Sequence, residues 1–160
     1  MKVLLLNGSP RKNGCTYTAL NVVADALKAE GIDAEVFQAG DPDMENVKAA
    51  AAKLKDSDAL VVGSPVYWAS PSGQIIEFMD RLASVAGKDM LYKPAAAVAS
   101  ARRAGTTATL DVLTKYFSYH QMPVVSSCYW NMVHGNTPEE VMKDEEGVQI
   151  MRVLGKNMAW

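Results

Sequence analysis

Cysteine and histidine are scarce: the 160 residues hold two of each, Cys15, Cys128, His120 and His134. Two thiols fall short of the thiolate set that an iron–sulfur cluster takes. They also make no disulfide framework. Neither histidine has a cysteine or carboxylate at zinc-ligand spacing, so both read as ordinary core or surface residues. An excess of one charge is missing as well. The 16 Lys and Arg against 18 Asp and Glu leave a net charge of −2. Residues 1–80 carry 7 basic and 11 acidic groups, and residues 81–160 carry 9 and 7. Neither half has the basic surplus of a nucleic-acid binder. No apolar run approaches the roughly 20 residues of a membrane helix. The opening Met1-Lys2-Val3-Leu4-Leu5-Leu6 is too short in its apolar part for a secretory signal. These absences predict a cytoplasmic protein that engages neither nucleic acid nor membrane.

What is present is the composition of a folded domain. Hydrophobic residues make up 49% and charged residues 21%, close to the soluble average. A chain of this length buries about 70% of the surface its unfolded form exposes. No repeat, long linker or low-complexity tract divides it, so residues 1–160 are expected to form one domain.

Short apolar runs punctuate the chain. Val3–Leu6 ends in Asn7-Gly8-Ser9-Pro10, Ala59–Val62 in Gly63-Ser64-Pro65, and Ala95–Ala99 in Ser100-Ala101-Arg102-Arg103-Ala104-Gly105. Val124-Val125 centres a fourth run, and Ala34–Phe37 alternates as an edge strand does. Runs apolar on both faces suit a parallel sheet covered on both sides. Between them lie helical patterns. Leu20, Val23, Ala24 and Leu27 share one face of Thr16–Glu30. Met44–Lys55 is alanine-rich around Val47 and Leu54, Pro71–Val85 aligns Ile75, Ile76, Met79 and Leu82, and Thr106–Ser118 aligns Leu110, Leu113 and Phe117. From Pro138 a helical tail repeats Val141, Val148, Met151, Leu154 and Met158. This alternation predicts an α/β sandwich with right-handed crossovers.

In such sheets ligands sit beyond the carboxyl ends of the strands, where the strand order reverses. The first of these loops runs Asn7-Gly8-Ser9-Pro10-Arg11-Lys12-Asn13-Gly14-Cys15-Thr16 straight into a helix. A helix start offers unpaired N–H groups and a partial positive charge. With the Ser9 and Thr16 hydroxyls and the Arg11 guanidinium it suits a phosphate. A turn that only caps the helix is the bland alternative. The loop matches neither G-x-x-x-x-G-K-[ST] nor G-x-G-x-x-G. Cys15 is no phosphatase nucleophile, because C-x-x-x-x-x-R would need arginine where Asn21 stands.

The second loop is Ser64-Pro65-Val66-Tyr67-Trp68-Ala69-Ser70-Pro71. Ser70 reads as a helix N-cap and Pro71 as the first helical position. Backbone groups beside two aromatics suit the edge of a planar heterocycle; Tyr67 and Trp68 as plain core anchors fit equally. The third loop carries Arg102 and Arg103 just past a buried strand, which points to solvent or to an anion. The fourth run is expected to lead into an aromatic–polar loop, Tyr129–Asn136.

Gly8-Ser9-Pro10-Arg11-Lys12-Asn13-Gly14 and Gly63-Ser64-Pro65-Val66-Tyr67-Trp68, about 55 residues apart, form a specific pair. With Gly73–Arg81, Ala101–Gly105 and Tyr129–Gly135 they make the chain resemble the NAD(P)H-dependent FMN reductases of flavodoxin-like fold. Within that family it is most similar to the iron–sulfur flavoprotein branch. The resemblance implies a three-layer sandwich around a five-stranded parallel sheet of order 2-1-3-4-5. It implies FMN as cofactor, NAD(P)H as co-substrate and a flavin, quinone or similar small acceptor. By position, Ser9, Arg11, Asn13, Gly14, Cys15 and Thr16 would hold the FMN phosphate. Pro65, Val66, Tyr67 and Trp68 would flank the isoalloxazine, and Ala101, Arg102 and Arg103 would line its other side. The branch's compact cysteine motif is missing from Gln38–Asp58, so no iron–sulfur cluster is expected. A homodimer or homotetramer is expected by analogy. The rival readings are a flavodoxin-type one-electron carrier and a redox-silent flavin-binding assembly protein.

Overall fold

The computed structural model describes all 160 residues. Strands β1 (Lys2–Asn7), β2 (Asp33–Gln38), β3 (Ala59–Tyr67), β4 (Ser70–Pro71), β5 (Ala95–Ala101) and β6 (Met132–His134) alternate with helices α1 (Cys15–Ala29), α2 (Met44–Lys55), α3 (Gly73–Met90), α4 (Thr106–Tyr119), α5 (Pro138–Lys143) and α6 (Glu145–Ala159). The main sheet runs β2-β1-β3-β5-β6, every pair parallel. Setting aside the two-residue β4, this is the expected order 2-1-3-4-5.

The pleat sorts the central strands between two cores. Leu4, Leu6, Leu60, Val62, Ala97 and Ala99 face α2, α3 and α4, where Leu54, Phe78, Leu82 and Phe117 are buried. Val3, Leu5, Val61, Ala96 and Val98 face α1 and the C-terminal helices, where Leu20, Leu27, Met151 and Leu154 are buried. The result is the three-layer sandwich. No helix is long and apolar enough to cross a membrane.

Three local expectations need correction. Ser70 and Pro71 do not start α3; they fold back as β4, antiparallel to Val66 and Tyr67. The N-cap is Ser72, whose hydroxyl accepts the Ile75 N–H. Val124 and Val125 do not centre the edge strand. Val124 forms only an isolated bridge to Ala95, and regular pairing resumes at Met132–His134 against Ala99–Ala101. Between them the Asn131 side chain, through Nδ2, donates to the Ala97 carbonyl at 3.0 Å, a place a main-chain N–H would otherwise take. The expected loop Tyr129–Asn136 therefore contains β6. Finally, the C-terminal tail breaks into two helices at Asp144, which caps the second through the Gly147 N–H.

Candidate functional site

Strand order reverses between β1 and β3, and the loops after β1, β3 and β5 meet there. The first loop folds around Asn7, which is fully buried at the end of its strand. Asn7 Nδ2 donates to Gln38 Oε1 at 2.7 Å and reaches the Arg11 and Lys12 carbonyls at 3.4 and 3.3 Å. Asn7 Oδ1 accepts the Ser9 N–H, and Gln38 Nε2 donates to the Ser9 carbonyl at 2.6 Å. The loop's carbonyls are thus tied inward. Gly8 allows β1 to approach β3 closely, since a Cβ there would lie 2.6 Å from the Gly63 carbonyl.

Gly14 is the N-cap of α1 and offers no side chain. The first N–H groups of the helix therefore keep their donor capacity. Beside them Thr16 Oγ1 lies 2.7 Å from Ser100 Oγ, both hydroxyls buried. The Cys15 thiol donates to the Gly135 carbonyl at 3.6 Å. Burial pushes its pKa up, more than its own backbone hydrogen bond and the nearby Arg11 pull it down. A thiol in that state is a lining group and a poor nucleophile.

These elements enclose a cavity of about 220 Å³. Of the residues expected at the site, Ser9, Arg11, Cys15 and Thr16 line it from the first loop, Pro65, Val66 and Tyr67 from the second, and Ala101 and Arg102 from the third. Four stand outside its lining. Gly14 is buried as the helix cap, Asn13 is exposed, Trp68 is fully exposed at the hairpin tip, and Arg103 is exposed beyond Arg102. Three lining residues escape the sequence reading: Ser100, Gly135 and Asn136. Ser100 is the polar end of an alanine strand, a weak signal. Gly135 and Asn136 come to Cys15 only through the pairing of β6 with β5.

No Asp or Glu lines the cavity. Arg11, Lys12, Arg102 and Arg103 have no carboxylate within 4.0 Å, for every ion pair lies elsewhere. Helix N–H groups, hydroxyls and unpaired guanidinium groups are the donors that suit an anion. The donor set fits a phosphate ester, and the wall of Pro65, Val66 and Tyr67 fits a flat ring beside it.

The family model of the NADPH-dependent FMN reductases matches residues 1–137. The chain belongs to that family. Members are NAD(P)H-dependent flavin oxidoreductases. An iron–sulfur flavoprotein of Methanocaldococcus jannaschii is 29% identical over 185 aligned positions, covering 99% of this chain and 96% of the relative. An NADPH azoreductase of a Bacillus species is 30% identical over 108 positions, covering 63% of this chain and 59% of the relative. The solved Trp repressor binding protein of Bacillus subtilis superposes with a TM-score of 0.79 at 18% identity, over 95% of this chain and 99% of that one; it shares the fold.

Proposed function

We propose that this family member takes two electrons from NAD(P)H and passes them to a flavin, quinone or similar small acceptor, with FMN held at the cavity. One observation carries the reading: Arg11 and Arg102 flank a cavity without acidic lining and have no carboxylate partner. Bound FMN supplies the electron transfer itself. The protein's part is placement. Ser9, Arg11, Thr16 and the α1 N–H groups bind the phosphate. Pro65, Val66 and Tyr67 would wall the ring. Arg102 would offer positive charge beside the cofactor, which would favour its taking up electrons. Asn13, Gly14, Trp68 and Arg103 lie in the same loops but outside the cavity lining.

The M. jannaschii relative is named for a cluster that we propose this chain lacks. Its only thiols, Cys15 and Cys128, are both free, and Cys15 lies in the cavity wall. The alignment is longer than this chain, so some of the relative's residues have no counterpart here. We also propose a homodimer or homotetramer in the cytoplasm. Exposed Tyr67, Trp68, Tyr129 and Trp130 support a subunit contact.

The test is a visible spectrum of the purified protein with FMN, before and after anaerobic NADPH. A flavin spectrum that bleaches promptly is expected. Arg11→Ala should weaken FMN binding by about tenfold or more, as loss of a charge-assisted hydrogen bond does. A protein that ignores FMN overturns the proposal. A long-lived one-electron form in place of bleaching assigns it to the carriers instead.

A further inference from the structure

Arg102 reaches the cavity from a segment with few restraints. Between the end of β5 at Ala101 and the α4 cap at Gly105 lie Arg102, Arg103 and Ala104, all exposed. Neither arginine has an ion-pair partner. The three residues make one hydrogen bond to the rest of the protein: the Arg103 carbonyl and His134 Nε2 lie 3.1 Å apart. A carbonyl only accepts, so Nε2 carries the proton.

His134 is itself anchored. It pairs in register with Ala101 at the end of β6. Its own N–H donates to Asp144 Oδ2 at 2.7 Å, and its Nδ1 lies 3.9 Å from the same oxygen. Asp144 Oδ1 accepts the Gly147 N–H at 3.0 Å and so caps α6. A Cβ at position 147 would press on the Asp144 carboxylate and disturb this cap. A connected series of bonds therefore runs from the α6 cap through Asp144 and His134 to the main chain of the arginine loop.

We infer that His134 is a positioning residue for the cofactor site, latching the Arg102–Ala104 segment so that Arg102 faces the cavity. The inference rests on the proposed role of Arg102 toward FMN, and it assigns a task to a histidine that lies outside the cavity lining. Without the latch the segment samples other conformations, and binding has to order it each time. The effect is on cofactor affinity, while the sheet and the helices stay intact.

The experiment compares His134→Ala and His134→Gln with the parent. The glutamine amide offers an N–H donor at a similar reach. Two readouts are taken: trypsin cleavage after Arg102 and Arg103 in protein freed of flavin, and the Kd for FMN from quenching of flavin fluorescence. Cleavage follows local opening of the segment. His134→Ala should be cut there about three- to tenfold faster and bind FMN weaker by a similar factor, the range for one lost hydrogen bond. His134→Gln should stay within about twofold of the parent on both, with Tm unchanged for either variant. Cleavage and Kd that do not move in His134→Ala overturn the latch, as does failure of His134→Gln to restore them. Arg102→Ala serves as reference. If it leaves the Kd for FMN unchanged while His134→Ala still speeds cleavage, the latch stands and the role of Arg102 toward the cofactor falls. If Arg102→Ala weakens FMN and His134→Ala does not, the positioning role falls.

Discussion

The hydroxyls of Thr16 and Ser100, 84 positions apart in the chain, lie 2.7 Å from each other at the base of the cavity. One sits in the first turn of α1 and the other near the end of β5. The pair ties the start of α1 to the strand that leads into the arginines. Both groups are buried, so each needs the other.

Thr16→Val keeps the shape and deletes one hydroxyl, which strands Ser100. The cost is expected at about 1–3 kcal/mol in denaturant unfolding. Ser100→Ala should behave alike. The double variant should lose less than the sum of the two, because nothing is then left unpaired. Strict additivity would show that the two hydroxyls do not depend on each other.

Gly105 caps α4 at φ +97°, and a Cβ on it would lie 2.7 Å from Ala69 Cα and 2.8 Å from Val66 Cγ1. Gly105→Ala therefore pays for a left-handed backbone and pushes on the hairpin whose Val66 and Tyr67 wall the cavity. Gly31 offers the control, with φ +76° and nothing within 4 Å of its Cβ position. Gly31→Ala should cost about 1 kcal/mol. Gly105→Ala should cost about 2–4 kcal/mol and also weaken FMN binding. Equal melting temperatures for the two variants would refute the contact with the hairpin.

The path from sequence to site shows where periodicity carries information. Val3–Leu6, Ala59–Val62 and Ala95–Ala99 are apolar on both faces, and all three lie in central strands. Leu20, Val23, Ala24 and Leu27 are all buried on α1. The edge strand was hidden for a physical reason. Asn131 pairs with β5 through its side chain, and no alternation of apolar residues announces that. The two-residue hairpin at Trp68 and Ala69 was hidden for another. Both residues adopt positive φ, 52° and 57°, where the usual turn signal is glycine or asparagine. The cavity was legible in its three loops, each read from glycine, proline, hydroxyl and arginine content. Ser100, Asn136 and the His134 contact depend on register across the sheet, which no local window contains.

Acid should weaken the fold partly through Glu35. Its Oε1 lies 2.6 Å from Lys53 Nζ and its Oε2 3.5 Å from Lys2 Nζ. The hydrogen bond from Lys53 is the main cause that holds its carboxyl below the usual range. The folded state then takes up the proton less readily than the unfolded chain. The stabilisation is complete above about pH 4.5 and fades as pH falls through the lower folded value. Glu35 is partly exposed, so salt reduces the effect. Denaturant midpoints at about pH 6 and pH 3.5 should fall further in the parent than in Glu35→Gln. Parallel losses in the two proteins would remove Glu35 from the acid response.

The two thiols should differ in reactivity. Cys128 is exposed, whereas Cys15 is partly covered and its thiol is held protonated by burial. A raised pKa leaves less thiolate at any given pH, and thiolate is the form that alkylates. Iodoacetamide at about pH 7 should mark Cys128 first, as read by mass spectrometry of the digested protein. Moving to about pH 9 should speed the marking of Cys15, since thiolate becomes more abundant as pH rises. FMN should then slow Cys15 and leave Cys128 unaffected, because only Cys15 lines the cavity. A Cys15 that FMN leaves unprotected would place the bound flavin away from the start of α1.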